Sequence, residues 1–181
     1  MRLAMPLAAV AVVAAGCSSD QDTRRYRVPS SSMEPTLHCA RPALGCEGRT
    51  MDLVAVHPYS GSVRPRRGDI AVFRTPPRAR VRCGSGGIFI KRVVGLPGER
   101  WSERSGYIFI DGRRLEEPYV IPDRRDTESF RGGRLPQNEF LLLGDNRESS
   151  CDSRFYGLVP RRNLIGRVFV IKRGSERIHI R

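Results

Sequence analysis

Hydrophobic positions past the N-terminus fall into short apolar or alternating runs: Leu53 to Val56, Asp69 to Phe73, Ile88 to Val94, Tyr107 to Ile110, Phe140 to Leu143 and Arg167 to Ile171. They are rich in Val, Ile and Phe and bounded by Gly, Pro and Asp, as β-strands are. Beyond residue 22 no run keeps a helical apolar period for three turns, so the domain is expected to be mainly β. Asp111-Gly112 after an apolar run predicts a hairpin turn. The stretches Arg74 to Gly87 and Pro122 to Pro136 are charged and Gly/Pro-rich, and read as exposed loops.

The chain opens on a different pattern. Arg2 precedes an almost uncharged run from Leu3 to Gly16, followed by Cys17 and the polar residues Ser18 to Asp22. That run is shorter than the roughly 20 residues that span a bilayer, which favours the apolar core of an export signal. Ala15-Gly16-Cys17 resembles the end of a bacterial lipobox, where Cys17 would be lipidated and become the mature N-terminus; Ala14 stands where that motif usually has Leu. The alternative is a short uncleaved anchor, although Arg24, Arg25 and Arg27 fit poorly with a positive-inside orientation. Both readings make residues 1–22 a signal or membrane-anchor segment. Both put residues 23–181 outside the cytoplasm as one domain, which is all that 181 residues comfortably supply.

Charge adds partners rather than fold. A net charge of +13 suits anionic headgroups, nucleic acid or acidic substrates without choosing among them. More telling, only Lys91 and Lys172 among the 32 basic residues are Lys. Arg stays protonated, whereas a desolvated Lys can lose its proton. Five Cys fit an oxidising compartment. With Cys17 in the export segment, four remain and allow three pairings; Cys39 with Cys46, which bracket a short Pro/Gly loop, leaves Cys83 with Cys151. The absence of any C-x-x-C pair and the presence of only three His argue against a metal site, and no cofactor is expected.

Four segments carry candidate chemistry. In Val28-Pro-Ser-Ser-Ser-Met-Glu-Pro-Thr-Leu37 three hydroxyls lie between two prolines that stiffen the backbone, although alone this reads as a Ser/Pro linker. In Ile88-Phe-Ile-Lys-Arg-Val-Val-Gly-Leu-Pro-Gly98, a strand places Lys91 on one face with Phe89 and Val93, where burial would disfavour the ammonium. Ile90, Arg92 and Val94 make an equally apolar opposite face, so alternation does not say which basic side chain points inward. Leu143-Gly-Asp-Asn-Arg-Glu-Ser-Ser-Cys-Asp-Ser-Arg154 reads as a polar turn after a strand, or as groups that orient an amine. Arg67-Gly-Asp-Ile-Ala-Val-Phe73 reads as a turn entering a strand.

Together, in this order and spacing, the four segments resemble the boxes of type I signal peptidases, over roughly Val28 to Ile171. The resemblance implies a compact antiparallel β-sheet fold with a second lobe, reduced here because the stretch from Gly98 to Phe140 is short. It implies a Ser/Lys serine endopeptidase that removes signal peptides from exported preproteins, with Ser32 as nucleophile and Lys91 as general base. Ser30 would complete the oxyanion hole and Ser150 would orient Lys91, while Asp145, Asp152 and Arg154 would hold the last box together. Val28, Pro29, Met33, Leu37, Phe89 and Ile90 would line shallow pockets for small side chains. The chain departs from the family by inserting His38 to Asp52 with two Cys. The implied location is the cell membrane, with the catalytic domain on the extracytoplasmic side and a lipid surface as neighbour. A self-cleaving Ser/Lys repressor would need a helix-turn-helix, and none precedes Ser32, so no nucleic-acid partner is expected. A catalytically silent surface-anchored relative is the other alternative.

Overall fold

The computed structural model describes residues 23–61 and 63–180. The larger of two antiparallel sheets is built from β1 (Arg24–Arg27), β2 (Leu53–Pro58), β3 (Ile70–Arg74), β4 (Ile88–Gly95), β9 (Glu139–Leu143), β10 (Val159–Pro160), β11 (Leu164–Arg173) and β12 (Glu176–His179). Its order is β1-β2-β11-β3-β4-β9-β10, with β12 pairing β11. The stretch Gly98 to Phe140 makes a second, four-stranded sheet from β5 (Arg100–Arg104), β6 (Tyr107–Ile110), β7 (Arg113–Arg114) and β8 (Phe130–Arg134), ordered β7-β6-β5-β8. The fold is therefore mainly β with a small second lobe.

The central strands are covered on both faces, which is why they read as nearly continuous apolar runs. Ala71 and Phe73 of β3, Val93 of β4 and Leu142 of β9 join one buried cluster with Tyr156 and Val159. Ile70 and Val72 point the other way, into a cluster with Val28, Met33, Leu37, Val54 and Val168. Val94, Leu141 and Leu143 pack against Trp101 and Ile108 and so glue the second sheet to the first. Asp111 and Gly112 both take positive φ (49° and 80°) in the turn between β6 and β7, the conformation a two-residue hairpin requires.

Two stretches expected as loops contain regular structure. Within Arg74 to Gly87 lies helix α1 (Arg78–Cys83), ended by Gly84 in the left-handed region. Within Pro122 to Pro136 lies β8, whose sequence Phe-Arg-Gly-Gly-Arg has no alternation to betray it. A single helical turn, α2 (Ser153–Tyr156), follows the last polar box and is capped by the Asp152 side chain. Disulfides join Cys39 to Cys46 and Cys83 to Cys151. The expected export segment, residues 1–22 with Cys17, lies outside the described residues. Among those described, no helix is long and apolar enough to cross a membrane.

Candidate active site

The site forms where the segment after β1 crosses the end of β4. Val28 is buried in the core, which pins the start of this segment, and residues Ser31–Met33 make one 3-10 turn. That turn is fastened by the polar box after β9: the Asn146 backbone N–H donates to the Ser32 carbonyl at 3.2 Å, and Asn146 Nδ2 donates to the Ser31 carbonyl at 3.1 Å. Gly144 makes this contact possible, because a Cβ there would sit 2.4 Å from the Ser32 carbonyl oxygen and 2.2 Å from Ser150 Oγ.

On β4 the two basic neighbours separate. Lys91 is buried, 3% exposed, and its Nζ donates to Ser32 Oγ at 2.6 Å and to the Ile90 carbonyl at 3.2 Å. Its Nζ also lies 5.5 Å from the centre of the Phe89 ring. Burial pulls the pKa of Lys91 from 10.5 to about 8, outweighing Asp152 and Asp145, which favour the charged form. Arg92 faces the other way and makes a two-pronged pair with Asp145, at 2.9 and 2.6 Å. The fully buried Asp145 also accepts from Thr36 Oγ1 at 2.6 Å, tying the serine segment, β4 and the last box into one unit. Arg92 and Thr36 were not singled out from the sequence; their signal is a carboxylate that needs partners, which only the fold supplies.

Asp152 accepts from the Gly144 N–H and from Arg154, whose guanidinium also meets Glu103, Asp126 and the Arg147 carbonyl. Arg147 is itself buried and paired with Glu117. This charged network links the last box to the second sheet.

Ser30 Oγ lies 3.3 Å from Ser32 Oγ. Ser150 departs from expectation in one respect: its Oγ is buried with no hydrogen-bond partner, so it does not bond to Lys91 in this conformation. The donors of Lys91 are engaged by Ser32 and Ile90 instead, and Ser150 packs against Gly144. Five of the six expected pocket residues, Val28, Pro29, Met33, Phe89 and Ile90, line one cleft of about 500 Å³ together with Ser30, Ser32 and Lys91. Leu37 does not line it; it is fully buried beneath, in the cluster with Val54 and Val72. Glu34, His38 and Glu47 present ligand atoms within 4.8 Å of one another. They are occupied internally: Glu34 accepts from His38 Nδ1 and from the Cys39 and Glu47 N–H groups, and Glu47 pairs with Arg124. His57 stacks on Phe169.

A serine hydroxyl bonded to a desolvated amine in a largely apolar cleft is the arrangement of a hydrolase acting by acyl transfer through serine. Comparison with known proteins narrows that class. The family model described as "Signal peptidase, peptidase S26" matches residues 1–172. The probable signal peptidase I-2 of Synechocystis sp. is 33% identical over 94% of this chain and 72% of its own. Signal peptidase I of Leptolyngbya laminosa is 39% identical over 88% of this chain and 72% of its own. A solved signal peptidase I from Enterococcus faecalis V583 is 30% identical, covering 57% of this chain and 96% of its own with a TM-score of 0.47. The chain belongs to the signal peptidase family S26, serine endopeptidases of the signal peptidase I type.

Proposed function

We propose that this protein removes signal peptides from exported preproteins, with Ser32 as nucleophile and Lys91 as general base. The observation that carries the reading is the 2.6 Å contact between a buried amine and the Ser32 hydroxyl. When the amine is neutral the same contact passes the hydroxyl proton to Nζ as Oγ attacks the scissile carbonyl carbon. The resulting oxyanion is stabilised by the Ser32 backbone N–H and the Ser30 hydroxyl. On collapse the C–N bond breaks, the Lys91 ammonium protonates the leaving amine, and an acyl ester remains on Ser32. Lys91 then takes a proton from the water that hydrolyses the ester. Apolar walls from Val28, Met33 and Ile90 suit small side chains at the first and third positions before the cut.

Incubating the full chain in detergent with a signal-bearing preprotein tests the reading, with cleavage at the signal junction as the expected result. The pH dependence gives a sharper check. Only neutral Lys91 is a base, so kcat/KM rises with pH and levels off above an inflection near 8. At pH 6 the rate is expected at about one hundredth of the plateau. A profile flat across that range would remove Lys91 as the titrating base.

The catalytic unit, residues 23–181, is tethered to the extracytoplasmic face of the membrane by residues 1–22. Deleting residues 1–22 is expected to release the protein from the membrane fraction. Intact mass of the detergent-extracted full chain distinguishes a lipidated Cys17 terminus from an anchor that retains Met1.

A further inference from the structure

The Cys83–Cys151 disulfide stands in an unusual place for a staple. Both cysteines line the same cleft as Ser32 and Lys91, with Ser85 and Ile88 beside them. Cys151 lies between Ser150 and Asp152 in the rigid last box, where Asp152 is fully buried and holds Gly144 and Arg154. Cys83 ends α1, in a segment with little else to fix it. From Pro77 to Ile88 only Ala79 is buried and Cys83 half-buried, while Val81 is 84% exposed. Besides the packing of Ala79 in the core cluster and of α1 beside α2, the segment is tied by two hydrogen bonds at its neck, between Thr75 and Gly87, and by a 3.3 Å bond from Arg82 Nε to the Phe155 carbonyl. Gly84, Gly86 and Gly87 leave the exposed Ser85 as the one side chain between α1 and β4.

We propose that the Cys83–Cys151 bond is a specificity-determining wall of the substrate cleft, clamping the Thr75–Gly87 segment against it and so limiting the size of side chain accepted before the scissile bond. The inference rests on the Ser32/Lys91 reading of the cleft. A wall made of an exposed Gly-rich segment fluctuates, and a fluctuating wall admits larger side chains while ordering small ones less well. The cross-link joins residues 68 apart and turns that segment into a fixed surface. Its sulfurs pack against the apolar cluster that also receives Phe89, the residue under the Lys91 amine. Ser32 and Lys91 depend on β4 and on the Asn146 contacts rather than on this segment, so loosening it changes selection more than chemistry.

The test uses the full chain in detergent and peptides that span a signal junction, with Ala, Val or Leu at the first and third positions before the cut. Cys83→Ala/Cys151→Ala is expected to raise KM for the Ala peptide about fivefold, to change kcat less than about threefold, and to shrink the preference for Ala over Leu about tenfold. Cys39→Ala/Cys46→Ala removes the other disulfide and is expected to keep the ranking of side chains. Ser85→Trp keeps the bond while filling the same wall, and is expected to raise KM for every peptide. Unchanged KM and ranking in the first variant, or the same loss of ranking when the other disulfide is removed, overturns the proposal. Should the first variant fail to fold, an unchanged KM in Ser85→Trp overturns it. Failure of the wild type to cleave any peptide would instead overturn the Ser32/Lys91 reading.

Discussion

Lys91→Arg is expected to lower kcat/KM by at least about a thousandfold, as removal of a catalytic base from an acyl-transfer site does. Arg keeps the charge and much of the bulk but cannot become neutral, so the loss isolates proton transfer from packing. Ser32→Ala is expected to fall to the same level, and the double variant no lower, because the two groups act as a unit. Cleavage of a preprotein, followed by the appearance of the mature N-terminus, measures all three. Cleavage by Lys91→Arg within tenfold of wild type would sink the mechanism.

Stability should move the opposite way when the amine is replaced by an apolar chain. The folded-state pKa of about 8 lies below the ordinary 10.5, so below pH 8 the folded protein must keep an ammonium that the unfolded chain solvates better. That penalty amounts to about 3 kcal/mol, is present in full below pH 8, and is gone above 10.5. Lys91→Met, inactive, is therefore expected to be more stable than wild type at pH 7 and to lose that advantage at alkaline pH.

Arg154→Ala is expected to destabilise the domain by about 3 to 5 kcal/mol at neutral pH, the usual result of removing one partner from a buried charged network. It would leave Asp152, Glu103 and Asp126 facing one another without their shared guanidinium. Burial already holds the Glu103 pKa up at about 7 against the pull of Arg154, with Asp126 adding repulsion. A raised carboxyl pKa favours the folded state in acid, and the benefit is lost as pH climbs through 7. Removing Arg154 accentuates this, so the gap between variant and wild type should narrow on going from pH 7.5 to pH 5. Chemical unfolding at the two pH values measures it; a variant as stable as wild type at pH 7.5 would show that the network contributes specificity rather than stability.

Strand patterning was legible where strands are apolar and opaque where they are not. β3, β4 and β9 are buried on both faces and announce themselves as apolar runs. β1, with the sequence Arg-Arg-Tyr-Arg, lies at the edge of the sheet, pairs among the described residues with β2 alone and leaves most of its side chains in water, so no burial pattern marks it. α1, with the sequence Arg-Ala-Arg-Val-Arg-Cys, buries only Ala79, and its tie to the last box is the disulfide. Met33 and Leu37 share one buried cluster, yet only Met33 also reaches the cleft; the turn that carries Ser32 and Met33 is fastened by Asn146, more than a hundred residues away.

The sequence by itself determined the chemistry on offer: a serine segment stiffened by proline, one lysine in a strand of apolar residues, and a polar box after an apolar strand. It did not determine the orientation of β4, since a strand with apolar residues on both sides is satisfied by either face. The tertiary structure decided that Lys91 meets Ser32 while Arg92 meets Asp145. The reason is electrostatic as well as steric. Arg92 keeps its charge and so takes the face with a buried carboxylate, and Lys91, which can shed its proton, takes the face without a direct partner for that charge. That choice requires residues 59 and 53 positions apart to meet, which local sequence cannot encode.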